Sequence, residues 1–168
     1  MISREILEKL SEETDEEKRI LGGSGSIEKN LYTGYSEFVI DSARLLEKGK
    51  LIEIRPHTRF VRFPSHRHNY IEMIYMCSGS TTHIINGNTV KLGAGEILIL
   101  SQNCSQEVLP AGRGDIAINF IILPEFFASN STFPAEESVV GDFLVNCLTN
   151  ANSFSKYLHY HVSELLPV

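Results

Sequence analysis

Hydrophobic and polar residues alternate with three different rhythms along this chain. From Ser3 to Leu21, a few apolar residues (Ile6, Leu7, Leu10, Ile20, Leu21) lie among many charges and stop at Gly22-Gly23. This predicts a surface helix with a weak apolar stripe, ended by glycine. The stretch Gly22 to Ser26 reads as a flexible linker. From Phe38 onward the pattern becomes short runs of Ile, Val, Phe and Tyr broken by Gly, Pro and Asn, the pattern of an antiparallel all-β domain.

Its β region runs from about Leu51 to Leu123. Strands are predicted at Leu51–Ile54, Thr58–Phe63, Asn69–Cys77, Thr81–Ile85, Thr89–Leu92 and Ile97–Leu100, with a short one at Val108-Leu109. Asn86-Gly87 between two of them is a type I′ hairpin signal, because both residues tolerate positive φ. Asp115 to Leu123 is apolar on both faces except at Asn119, as expected of a central buried strand. At least six short strands with tight turns imply a sandwich or small barrel.

After Pro124 the period lengthens again. Val140, Phe143, Leu144, Cys147 and Leu148 form one face of a helix, and Tyr157–Val162 reads as a last strand. Ser163 is then expected to cap a helix that begins at Glu164-Leu165-Leu166. An apolar run at the point where a helix starts needs a partner, so these residues are expected to belong to a longer polypeptide.

Length and charge narrow the function. A chain of 168 residues fits one domain, read as a helix and linker over 1–36, a barrel over 37–132 and a helical and strand extension over 133–168. Fifteen Lys and Arg against 21 Asp and Glu give a net charge of −6, the wrong sign for direct nucleic-acid contact. Cys77, Cys104 and Cys147 are odd in number and far apart, which suggests reduced thiols. With no signal-like run at the N-terminus and no stretch of membrane-spanning length, the expected location is the cytoplasm.

The chemistry concentrates in His66-Arg67-His68-Asn69-Tyr70-Ile71-Glu72. Alternation on an extended strand puts His66, His68, Tyr70, Glu72, Ile74 and Met76 on one side. Facing a barrel interior, His66, His68 and Glu72 could hold Fe, Mn, Ni or Zn, or hydrogen-bond a small polar ligand. The alternative leaves the histidines half exposed and pairs Glu72 with Arg59 or Arg62.

These residues resemble the first motif of the cupin superfamily: His66-x-His68-x3-Glu72-x6-Gly79 matches it, with Phe60 in place of the leading glycine. Of the second motif only Gly95 survives, and Gln106 stands where the family has its fourth metal ligand, a histidine. An amide oxygen is a poorer ligand for a transition metal than imidazole, so Gln106 argues against a catalytic metal. More narrowly, the runs at 54–60, 66–79, 85–87, 95–98, 117–123 and 157–168 resemble the N-terminal sensing domain of AraC-family transcriptional regulators.

That resemblance implies a mainly β fold, a cupin-type double-stranded β-helix (jelly-roll) barrel with flanking α-helices at both ends. It implies a non-enzymatic sensor that binds a small effector, a sugar or another small polar metabolite, and forms a homodimer. DNA would be bound by a C-terminal pair of helix-turn-helix motifs that this chain does not contain. The expected ligand contacts are His66, His68, Tyr70, Glu72, Gln106 and Asn119, with no cofactor required.

His57, Arg59 and Arg62 are candidates for attracting an anion. His83, His159 and His161 read as surface residues of their strands, and Cys104 as an inert thiol. Two other classes stay open: a metal-dependent dioxygenase or isomerase using His66, His68 and Glu72, and a filled barrel that only dimerises.

Overall fold

The structure, a computed structural model, describes residues 3–129, 139–149 and 156–162. The predicted cap at Ser163 and the helix after it lie outside the described residues.

The cupin-type barrel is present. One five-stranded sheet has the order β1 (Val39–Ile40), β3 (Phe63–His68), β8 (Gln106–Val108), β5 (Ser80–Ile85), β6 (Asn88–Gly93). The other has the order β10 (Tyr157–His161), β7 (Glu96–Leu100), β4 (Ile71–Ser78), β9 (Ile116–Ile122), β2 (Ile52–Pro56). Among the described strands all pairings are antiparallel except β1 with β3. The strand β9 is central, as its apolar faces predict, lying between β4 and β2.

Local chemistry explains the turns. Asn86 takes a φ of 51° and Gly87 one of 83°. Both are left-handed, the pair that a type I′ hairpin needs. At Gly79, φ is 72° and an added Cβ would sit 2.3 Å from Asp115 Oδ1. Only glycine fits there. Asp115 is held in place by the amides of Ser80 and Gly112, at 2.9 and 2.7 Å. Phe60, standing in the place of the motif's first glycine, keeps a left-handed φ of 68°. Its amide donates to Ala111 O at 2.9 Å. The Arg59 and Arg113 guanidiniums lie over its ring.

Two strand predictions change. Thr58–Arg62 is a loop that lets Arg59 turn inward, and the strand expected from Asn69 breaks at Asn69-Tyr70, where the chain passes from one sheet to the other. Asn69 holds that corner: its Oδ1 accepts from Ser42 N at 2.8 Å and its Nδ2 donates to Asp41 Oδ1 at 3.0 Å, tying the bend to α3 (Ser42–Leu45).

The N-terminal segment differs most from its prediction. In place of one helix there are two, α1 (Arg4–Ser11) and α2 (Asp15–Arg19), separated because Thr14 and Glu17 form a capping box that starts a new helix. The stretch read as a linker is largely a π-helical turn, Ile20–Ser24, ended by Gly25 in the left-handed region. Ile20, Ile27 and Tyr32 then enter the same apolar cluster as Val61, Phe63, Val108 and Ile121 of the barrel. What anchors them is Glu17, fully buried against Arg59, itself 3% exposed. Arg59 donates from Nε to Glu17 Oε1 at 2.8 Å, from Nη2 to Oε2 at 2.9 Å, and to the carbonyls of Ser11, Glu12 and Arg113. Burial pushes the Glu17 carboxyl up, but bonds from Arg59 and from the Thr14 amide outweigh it and hold the pKa below its ordinary value.

On the outer face of the second sheet, α5 (Val139–Thr149) buries Phe143, Leu144 and Cys147 against Ile71 and Ile122, close to α4 (Pro124–Ser129). Val140 and Leu148, expected on that buried face, are exposed.

The Glu17→Ala variant leaves the Arg59 guanidinium buried without its counter-charge. It should lose about 3–5 kcal/mol of stability, read as a lower urea midpoint, with faster amide exchange over residues 14–32. Unchanged exchange there would show that the pair does not hold the segment.

Candidate functional site

The two sheets enclose a cavity of about 270 Å³. That is room for one compact small molecule, at the lower end of what ligand pockets usually offer. Its wall comes from both the barrel and the N-terminal segment. Thr14, Asp15, Glu16 and Arg19 of the α2 region close one side, and Ile40, Leu45, Phe63, Val108 and Ile121 supply apolar surface. The rim carries Arg55 and Thr58, and the polar lining is His57, His66, Tyr70, Glu72, Gln106 and Asn119.

Strand alternation makes this floor. From Tyr70 just before β4 the inward residues run through Glu72 to Ile74, and along β9 from Ile121 through Asn119 to Ala117. Polar side chains thus form a belt between an apolar cluster at the mouth and another at the far end.

Asn119 links two members of the belt. Its Nδ2 donates to Glu72 Oε1 at 3.0 Å, and its Oδ1 lies 2.9 Å from His57 Nδ1. A carbonyl oxygen only accepts, so Nδ1 of His57 carries the proton and Nε2 is left as an acceptor. A second chain runs through Gln106, whose Nε2 stands 3.1 Å from His83 Nδ1, while His83 Nε2 is 2.8 Å from Thr81 Oγ1. His66 Nδ1 lies 2.7 Å from Pro64 O. Among the described residues, four acceptor atoms of lining residues are buried without a hydrogen-bond partner: His57 Nε2, Glu72 Oε2 and Gln106 Oε1 on the floor, and Glu16 Oε1 on the α2 side.

Burial governs the charges. It lowers the pKa of His57, His68 and His83 and takes that of His66 to about 4, so the belt histidines are neutral near pH 7. The same burial lifts the Glu72 carboxyl to about 7, against the opposing effect of the Gln106 and Asn119 amides.

Of the residues expected at the site, His66, Tyr70, Glu72, Gln106 and Asn119 line the cavity and His68 does not. The His68 ring is packed between His66 and Tyr70, with centroid distances of 4.8 and 4.9 Å. Its Nε2 reaches only to 3.5 Å from Glu72 Oε2, long for a hydrogen bond. Among the described residues no group of three His, Cys, Asp or Glu side chains is placed to hold a metal ion. Glu72 lies across the Asn69-Tyr70 bend in the other sheet, and His66 Nδ1 is turned onto Pro64 O.

Glu72 pairs with neither arginine, because Arg59 binds Glu17 and Arg62 binds Glu107. The expectation that His83 is a surface residue is corrected: it is fully buried beneath the cavity floor. The inward alternation Thr81, His83, Ile85 was the signal for this, and nothing comparable marked His57, which follows β2 in a loop. His159 and His161 do lie toward the surface, both against Glu96. Cys104 is buried, with Sγ 3.0 Å from Lys156 O.

The two pKa directions set a pH test. With a carboxyl raised from 4.5 to about 7, the folded state binds more protons than the unfolded chain in that window, so Glu72 costs stability as pH rises through it. The buried histidines act oppositely: the unfolded chain binds more protons below about pH 6.5, and the fold weakens on acidification. Relative to wild type, Glu72→Gln should therefore gain about 2–3 kcal/mol between pH 5 and pH 8, seen as a rising difference in urea midpoint. A pH-independent difference would show that Glu72 is not a buried titrating carboxyl.

Residues 50–132 match the family model for the AraC-like ligand binding domain. Among solved structures, an apo ToxT variant from Vibrio cholerae strain SCE256 superposes with a TM-score of 0.45 at 9% identity, covering 69% of this chain and 44% of that one. ToxT from the same strain bound to an unsaturated fatty acid gives 0.44 at 11% identity, with 66% and 40% covered. The bacterial pirin YhhW from Escherichia coli in complex with nickel(II) gives 0.39 at 17%, also with 66% and 40% covered. This chain spans less than half the length of these proteins. A comparison with curated proteins gives no match. The strand order, the cavity between the sheets and the matched segment agree: residues 50–132 belong to the AraC-like ligand binding domain family.

Proposed function

We propose that this chain is the effector-sensing and dimerisation part of a cytoplasmic AraC-type transcriptional regulator, whose DNA-binding helix-turn-helix domain lies elsewhere in the parent protein. The observation that carries this reading is the cavity whose wall is shared by the barrel and the N-terminal segment. A ligand shifts a two-state protein only if it binds the two states unequally. Here a molecule on the floor touches both elements, so their relative position and its affinity are linked. The acidic net charge of −6 supports leaving DNA contact to another domain.

Dimerisation is supported by α5, whose Val139, Val140, Val145 and Leu148 are exposed while its other face packs on the barrel. The metal-enzyme reading has no such support, because the described His and Glu side chains form no metal-holding group.

Purified protein should be stabilised by at least one member of a metabolite panel, by about 2.7 kcal/mol at a hundredfold excess over Kd, and native mass spectrometry should show a dimer. Val145→Glu should yield a monomer that keeps the ligand-induced rise in Tm, since the side chain is exposed. A monomeric wild type with no response across the panel would defeat the proposal.

A further inference from the structure

The cavity floor and rim differ in hydrogen-bonding character. His57 Nε2, Glu72 Oε2 and Gln106 Oε1 are buried, lie on residues of the cavity lining and have no partner among the described residues. All three atoms accept, the carboxylate in its charged form and His57 because its proton is on Nδ1. The amide donors of the floor are already engaged: Asn119 Nδ2 with Glu72 Oε1, and Gln106 Nε2 with His83 Nδ1. Donors stand at the rim, where Arg55 and Thr58 lie, while the α2 side is mixed: Arg19 is paired with Glu28 and stands with Asp15 and Glu16, whose Oε1 is a further acceptor without a partner. Between the two zones the wall is apolar, with Ile40, Leu45, Phe63, Val108 and Ile121.

Leaving a buried acceptor unmade costs free energy that a complementary ligand recovers. Accordingly, we propose that the ligand is a compact primary amine with an apolar body, whose ammonium group donates to Glu72, Gln106 and His57. An ammonium carries three donors and no acceptor, which matches three acceptors on the floor. Its charge is opposite to that of the Glu72 carboxylate, and a charge-assisted bond is stronger than a neutral one. A hydroxyl brings an acceptor oxygen together with each donor, and a carboxylate brings acceptors only. The apolar wall takes up the hydrocarbon body, which a polyol lacks.

This inference rests on the sensor reading, and the test separates the two. The 168-residue chain is titrated with phenethylamine, 2-phenylethanol and 3-phenylpropionate, which share a body and differ in the head group, and with a broad metabolite panel. Thermal shift and calorimetry are the readouts. Phenethylamine should raise Tm and the other two should not, and Glu72→Gln should weaken the amine at least about tenfold. Gln106→Leu should weaken it as well, and serves as the second variant if Glu72→Gln fails to fold.

Equal or stronger binding of the alcohol or the carboxylate overturns the amine proposal and leaves the sensor reading standing, as does a panel hit without any response to phenethylamine. Amine binding that is unchanged in both variants places it elsewhere and overturns the proposal. Silence from all three probes and from the whole panel overturns both readings.

Discussion

The Glu17–Arg59 pair decides the shape of everything around the cavity. Neither charge can remain inside the protein alone, since an unpaired buried ion costs several kcal/mol. Arg59 lies in the loop after β2, and Glu17 in a helix that belongs to no sheet. Each can be buried only if the other arrives, so the barrel is completed by a segment 42 residues earlier in the chain. Once α2 is docked, Ile20, Ile27 and Tyr32 fill the mouth of the barrel and the Arg59 guanidinium reaches the carbonyls at the end of α1.

The polar belt is the second constraint and runs against the first principle of a hydrophobic core. Histidines, a carboxyl and two amides are placed between apolar clusters, where desolvation neutralises the imidazoles and lifts the Glu72 carboxyl to about 7. Part of that penalty is offset by side-chain pairing through Asn119 and Gln106. The remainder is left open at atoms of residues that line the cavity, which is where a natural protein departs from full polar satisfaction when a site is present.

Much of this was legible in the sequence because β periodicity is local. The Asn86-Gly87 hairpin, the doubly apolar β9 with Asn119 at its centre, and the inward set Tyr70, Glu72, Ile74, Met76 follow from alternation alone. Phe60 stands where the motif has glycine and itself takes a left-handed backbone, held by the Ala111 bond with two guanidiniums over its ring. What alternation could not supply was contact between distant segments. The partner of Arg59 is a glutamate within a run of charges that reads as solvated, and Gly22 to Ser26 looks like a hinge when composition is all that is known. His57 lies off any strand, and the bend at Asn69-Tyr70, which carries the chain from one sheet to the other, needs Asp41 and Ser42 to hold it.

Family likeness begins at residue 50, but the chamber does not. Thr14, Glu16, Arg19, Tyr32, Ile40 and Leu45 all face it from earlier positions. The chamber therefore has two sources: the barrel segment supplies the polar floor that meets a ligand's head group, and the N-terminal segment supplies the outer wall that bounds its size and shape.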